Sequence, residues 1–422
     1  MREMKKALHV GLVALSMTAL CWAQTKPAAI TDIRIENGDG TILEHATILI
    51  QDGKITAVGK DVSIPAEADQ ISGTGLTAYP GFIDAYTTRG VKLPEAPSGG
   101  TPPDSRTTAP ASMWHGNKKG IRTDVVAGKC LDLGEQLRLN YRQGILTALV
   151  APGVGTVRGV ASVVNYSDKG DVLVPTAGAE LAFRGGSGDG YPESLFGIIA
   201  ELRQYLADSQ AYALTPNPKQ DPGFENLKPI MNRQAPAIFV ADTDREILRA
   251  QRISEEFGLE LAIASGREAY KRADILKANR TPVFVTIETG DEPSRSGGEN
   301  NTTPKEVLEE RYQNWEARAN NVKKLDEAGV IFAFSSTGSS ISDYLTNIRA
   351  LIKRGLPRLS ALKAMTMTPA GVLHIDDRVG SISPGKQANL VLMNGDFDKD
   401  SSIVKTVFVE GVKADLTGEA GK

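Results

Sequence analysis

The sequence is short of the residues that hold transition metals. Its 422 residues include four His and two Cys. Two Cys cannot build a disulfide framework or a Cys₄ zinc site. Charge of one sign is also scarce. The 48 basic and 51 acidic residues leave a net charge of −3, with no long Lys/Arg run. That balance argues against a nucleic-acid binder. With 41% hydrophobic residues the chain is an ordinary globular one. Its length suits two average domains, or one large α/β barrel with a smaller companion.

What is present begins with an address label. Arg2, Lys5 and Lys6 precede Ala7–Ala23, an apolar stretch without charge that ends Cys21-Trp22-Ala23. A basic region, an apolar core and a small-residue cleavage site make a secretory signal peptide, residues 1–23. The stretch falls short of the roughly 20 residues a spanning helix needs. The expectation is an exported protein, periplasmic or secreted, with no membrane contact after cleavage. The mature chain then keeps Cys130, expected to be buried, and His45, His115 and His374.

Both ends of the mature chain read as short strands with tight turns. Ala46–Ile50 and Ile55–Val58 flank an Asp52-Gly53 hairpin turn, and Asn389–Met393 and Val404–Val409 mirror them near the other end. Between the ends, apolar strands alternate with amphipathic helices. The strands are Gly81–Ala85, Ile145–Val150, Asp171–Pro175, Ala237–Ala241, Glu260–Ala264, Pro282–Ile287 and Ile331–Phe334. The helices are Glu135–Gln143, Arg245–Phe257, Glu268–Ala278, Lys305–Glu327, Asp343–Arg354 and Ala361–Leu373. Asp242 and Asp244 lie where an Asp caps a helix. This alternation implies a parallel sheet buried on both faces, in an eight-stranded barrel or an open doubly wound sheet. Two Pro/Gly/Ser-rich loops, 92–119 and 294–303, interrupt it.

Tyr79-Pro-Gly-Phe-Ile-Asp-Ala-Tyr-Thr-Thr88 resembles the first-strand motif of the amidohydrolase superfamily, the imidazolonepropionase-like and dihydroorotase-like metal-dependent hydrolases. Ala46–Gly59, Gly144–Pro152, Met365–Ala370, Arg378–Lys386 and Ala388–Leu390 are similar to further motifs of that family, in the same order. The resemblance implies an α/β fold: a (β/α)8 TIM-like barrel (79–384) plus a small β-sandwich built from both chain ends (24–78 and 385–422). It also implies a divalent metal, usually zinc, at the carboxyl ends of the barrel strands. The family's ligands are two first-strand His, one His each on strands five and six, and an eighth-strand Asp. Some members add a fourth-strand Lys or Glu. Such a set leaves one position open for a water whose pKa the ion lowers.

At the matching positions this sequence carries none of those ligands. Tyr86 and Thr88 replace the first-strand His, Val240 and Asp242 the fifth-strand segment, Ser265 the sixth-strand His and Thr337 the eighth-strand Asp. Asp84 is retained. No fourth-strand Lys or Glu stands out. Asp84, Asp242, Glu288 and Asp291 invite an oxygen-ligand site for Mg²⁺ or Ca²⁺, but pairing with Lys and Arg is the commoner use of such carboxylates. His45, His115 and His374 lie away from the barrel strands.

The expectation is a non-catalytic member, a pseudoenzyme without metal. Its degenerate pocket (Asp84, Tyr86, Thr88, Val240, Asp242, Ser265, Thr337) binds a small molecule, or the chain forms a homo-oligomer or a hetero-oligomer with an active amidohydrolase. The alternative is a divergent hydrolase of amide, cyclic amide or peptide C–N bonds, using oxygen ligands or no metal.

Overall fold

The computed structural model describes residues 26–94, 120–134, 136–167, 170–185, 192, 194–296 and 303–416. Residues 1–23, expected to be a signal peptide, His115 and most of the 92–119 loop lie outside the described residues.

The first five strands are β1 (Ala28–Glu36), β2 (Ile42–Gln51), β3 (Lys54–Gly59), β4 (Asp69–Ser72) and β5 (Thr77–Pro80). Asp52 and Gly53 both have positive φ, as a two-residue hairpin turn demands, and they set Gln51 opposite Lys54. Eight further strands make the barrel: β6 (Phe82–Thr87), β7 (Ile145–Val150), β8 (Val157–Asn165), β9 (Val172–Ala182), β10 (Ala237–Ala241), β11 (Leu261–Ser265), β12 (Val283–Thr286) and β13 (Phe332–Ser335). The last three strands are β14 (Leu390–Met393), β15 (Val404–Val409) and β16 (Val412–Lys413).

Both chain ends share one sheet, ordered β16-β15-β14-β5-β1-β2-β3, with β4 beside β1. The seam between the ends is the antiparallel ladder of β14 on β5, from Leu390↔Pro80 to Met393↔Thr77. The Ile55 N–H donates to the Lys386 carbonyl (2.8 Å), so β3 meets the segment leading into β14. The sheet therefore curls over its own core of Ile30, Ile33, Ile48, Leu390 and Phe408. The expected two-layer sandwich is one continuous hydrogen-bonded path.

The chain passes between the sheets at Pro80-Gly81. The Gly81 N–H donates to Asn389 O and the Phe82 N–H to Gly144 O. A Cβ on Gly81 would lie 2.9 Å from the Leu146 side chain and 3.1 Å from Asn389 Cβ, so the chain packs closely at this crossing.

The barrel sheet runs β6 to β13 in order. Its seam is closed by hydroxyls: Ser335 Oγ (2.6 Å) and Thr337 Oγ1 (3.1 Å) donate to the Tyr86 carbonyl. Strands β6–β7 and β9–β13 pair in parallel, while β8 is antiparallel to both neighbours. This corrects the expected uniform (β/α)8 alternation. The links 151–156 and 166–171 are too short for the dozen or more residues of a parallel crossover. The strand expected at Asp171–Pro175 is only the start of the eleven-residue β9.

The helices are α1 (Gln136–Arg142), α2 (Leu195–Leu214), α3 (Pro222–Met231), α4 (Asp244–Phe257), α5 (Ala273–Ala278), α6 (Lys305–Ala319), α7 (Asn321–Ala328), α8 (Tyr344–Lys353), α9 (Arg358–Met365) and α10 (Met367–Val372). The sequence reading missed α2 and α3. The inward face of α2 mixes Leu202 and Leu206 with Tyr205, Ser209 and Tyr212, while Phe196 is 85% exposed, which blurs the helical period. The residue that caps α4 is Thr243, in a capping box with Glu246, rather than Asp242 or Asp244. The expected 305–327 helix breaks at Asn320. The expected 361–373 helix breaks at Thr366, three residues before Pro369, which cannot continue a helical hydrogen-bond ladder.

Candidate functional site

Strand alternation decides what faces the barrel interior. Ile83, Ala85, Leu149, Ala151, Ala161, Val163, Ile238, Ala262, Ala264, Phe284 and Ala333 form its packed filling, with Val240 against them. Above that filling, the carboxyl ends of the strands carry polar side chains.

The centre of this ring is a buried ion pair that sequence reading did not find. Glu180 falls between Ala179 and Leu181, which pack outward, so the pleat turns it inward. It is completely buried. Arg158 of β8 donates to one carboxylate oxygen at 2.8 Å, and the Tyr86 hydroxyl to the same oxygen at 2.5 Å. The Gly153 N–H donates to the other at 2.7 Å. The Arg158 Nε–H donates to Gly155 O at 3.0 Å. Burial disfavours the Arg158 charge, yet Glu180 and Tyr86 raise its pKa above the usual arginine value. Burial, then the adjacent Glu180 charge, push the Tyr86 phenol well above its ordinary value. In sheet order β9 is the fourth barrel strand, so Glu180 stands where a fourth-strand carboxylate belongs. A lone acid inside Gly178-Ala-Glu-Leu-Ala182 was the available signal.

A second group lies one strand further on. Ser265, held at φ 76° on the end of β11, donates its hydroxyl to Asp242. Arg267 Nε lies 3.4 Å from the same Asp242, and Arg267 Nη2 lies 3.4 Å from Glu288. Arg184 approaches Asp242 at 3.9 Å. Thr337 reaches this group through its carbonyl, which accepts from Thr286 Oγ1 at 2.7 Å. Thr88 packs on Gly153, where a Cβ would come within 2.9 Å of it.

Asp84 sits apart from the other six pocket positions. Its neighbours Ile83 and Ala85 face the interior, and it is buried behind them. The Ser336 N–H donates to it at 2.9 Å and the Ser336 hydroxyl caps its other oxygen. Burial pushes its carboxyl up to about 6, against the pull of those hydrogen bonds and of Arg89. Asp291 is exposed. His45 pairs with Asp32 at 2.7 Å on the end sheet, and His374 is exposed just after α10. Cys130 is unpaired and half-buried rather than fully buried.

These donors do not fit a zinc ion, which takes three or four His, Cys or carboxylate ligands. The Tyr86 hydroxyl is engaged with Glu180, Val240 has no donor atom, and Asp242 is held by Ser265 and Arg267. Glu180 already faces a guanidinium. Among the described residues, no three His, Cys, Asp or Glu side chains gather in a metal-binding group.

A cleft of about 410 Å³ opens beside the ring, between the loop after β12 and α6–α7. A larger hollow, about 920 Å³, lies outside the mouth between α1 and the β15–β16 edge.

An eight-stranded barrel joined to a sheet made from both chain ends defines a class of α/β scaffold whose sites lie at the carboxyl face of the strands. A sequence profile of the amidohydrolase family matches residues 237–413. The solved structure of an amidohydrolase from Thermotoga maritima shares the fold, with a TM-score of 0.72 at 22% identity. That alignment covers 92% of this chain and 99% of the other. A Xaa-Pro dipeptidase crystallised with methionine in its active site gives a TM-score of 0.56 at 16% identity, over 92% and 100% of the two chains. A dihydroorotase of Mycobacterium tuberculosis is 43% identical over 44 residues, 10% of this chain and 10% of its own length. The chain thus matches about a tenth of that relative's length. Residues 237–413 are similar to the amidohydrolase family, and the fold of the whole is similar to that of solved amidohydrolase structures.

Proposed function

We propose that this protein is an exported, non-catalytic member of the superfamily whose barrel mouth binds a small molecule in place of supporting hydrolysis. A complex with a second copy or with an active amidohydrolase is the other role we assign to such a scaffold. The observation that carries the reading is the Arg158–Glu180 pair. A fixed guanidinium 2.8 Å from the fourth-strand carboxylate neutralises the charge a metal would otherwise balance. A divalent cation beside it would meet like-charge repulsion in a low-dielectric interior.

The test is elemental analysis of the purified full-length protein. We expect no stoichiometric transition metal. A bound metal whose removal abolishes a hydrolase activity refutes the proposal.

Divergent hydrolysis of C–N bonds is the second reading. The fold it shares with a dipeptidase and the raised carboxyl of Asp84 favour it. It requires that Asp84→Asn or Asp242→Asn abolish a measurable turnover, and unchanged turnover in both removes it.

A further inference from the structure

The cleft between the β12 loop and α6 is lined with cations. Arg311, Asn314, Trp315 and Arg318 follow one another at helical spacing and share the face of α6 that borders it. Arg267 enters from the β11 end. Against these three guanidiniums the lining offers one carboxylate, Glu288. Arg318 is bonded to Glu268 at 2.9 Å, and Arg267 makes only long contacts, 3.4 Å each, to Asp242 and Glu288. Arg311 has no ion-pair partner among the described residues. Asn314 has no hydrogen-bond partner among them either. Gly338 lies against Arg267 and Glu288. Gly338 has φ +90°, and a Cβ there would lie 2.7 Å from Arg267 Nη2.

We propose that this cleft binds a small oxyanion ligand, one bearing a carboxylate or phosphate group held between Arg311 and Arg267. The planar guanidinium presents paired donors that match such a group in a bidentate manner. Of the three guanidiniums, Arg311 alone lacks a carboxylate partner among the described residues, and Arg267 is held only by long contacts. Arg267 also touches Asp242 of the barrel mouth, so the anion sits at its rim, and the remainder of a ligand extends toward Ser265. This deepens the reading of the mouth as a binding site, and rests on it, by naming the ligand's charge.

The experiment is calorimetric titration of the full-length protein with succinate and with inorganic phosphate at matched ionic strength. It is run before and after chelation and dialysis. We expect saturable binding of one probe, and whichever binds names the group recognised. Arg311→Gln should weaken it at least about tenfold, the loss of a hydrogen bond to a charged group. Arg311→Lys should weaken it less, and Arg252→Gln on the exposed face of α4 should not change it. Arg311 is exposed, so its replacement leaves the core intact. Binding of neither probe, binding indifferent to Arg311→Gln, or equal loss in Arg252→Gln overturns the proposal. Binding that chelation abolishes overturns it together with the metal-free reading. A metal found alongside Arg311-dependent binding that survives chelation overturns the metal-free reading alone.

Discussion

Replacing Arg158 by Met exposes how much the barrel interior depends on its buried cation–carboxylate pair. Glu180 has no contact with solvent, and without the guanidinium its charge keeps only two donors, the Tyr86 hydroxyl and the Gly153 N–H. Breaking a buried pair by removing one partner costs about 3–5 kcal/mol. The two remaining donors place Arg158→Met at the lower end, about 3 kcal/mol. Glu180→Gln leaves the buried guanidinium with the Gly155 carbonyl and a neutral amide, at comparable cost. The double variant removes both charges together. Its loss should fall short of the sum of the singles by about 2 kcal/mol, within the range for contacting residues. Urea unfolding followed by circular dichroism gives the three differences from midpoints at constant slope. Singles that add within about 0.5 kcal/mol would show that the pair is not coupled, and the electrostatic account of the mouth would fall with it.

Other perturbations read other parts of the structure. The Asp84 carboxyl is raised in the folded state to about 6, above the ordinary aspartate value, so the native protein holds the extra proton between about pH 4 and 6. Stability from this group is therefore full below that window and declines as pH rises through it, by at most about 3 kcal/mol. Urea midpoints across this range should slope less in Asp84→Asn, and parallel slopes would count against the assignment. Gly338→Ala forces a side chain into a left-handed turn and onto Arg267. It should cost at least about 1 kcal/mol and weaken oxyanion binding, measured by thermal unfolding and calorimetry. Thr243→Ala removes one half of the α4 capping box and should lower stability by about 1 kcal/mol in urea unfolding.

The parts legible in the sequence are those written in local chemistry. The Asp52-Gly53 turn, the Pro80-Gly81 crossing and the apolar runs of β7, β10 and β11 each follow from a few adjacent residues. The replacements at Tyr86, Thr88, Val240, Asp242, Ser265 and Thr337 were placed by motif, and the structure sets them at the carboxyl ends of β6, β10, β11 and β13. Hydrogen bonds join Asp242 to Ser265, and Tyr86 to Thr337. What stayed hidden depends on partners far along the chain. Arg158 and Glu180 are single charged residues in apolar strands, and only the antiparallel register of β8 on β9 brings them together. The direction of β8 is set by connection length, which periodicity does not report. Helix α2 escaped because its buried face uses tyrosine and serine where a clean pattern uses aliphatic residues.

The ladder of β14 on β5 makes the barrel, in chain terms, a single long insertion between two neighbouring strands. A ladder of four residue pairs, Thr77–Pro80 with Leu390–Met393, holds its two ends together, with the Ile55–Lys386 and Gly81–Asn389 bonds beside it. Loop closure over so many residues adds little entropy per added residue, but it makes this pairing among the most non-local contacts in the protein. During synthesis the β5 edge must wait, unpaired, until the whole barrel has been made, and an open edge is where misassociation begins. A lesion in β14 therefore acts on the first strands made as well as the last, and truncation before Leu390, which also strips Val391, Met393 and Phe397 from the core they share with Phe82 and Ile145, should leave an aggregating chain.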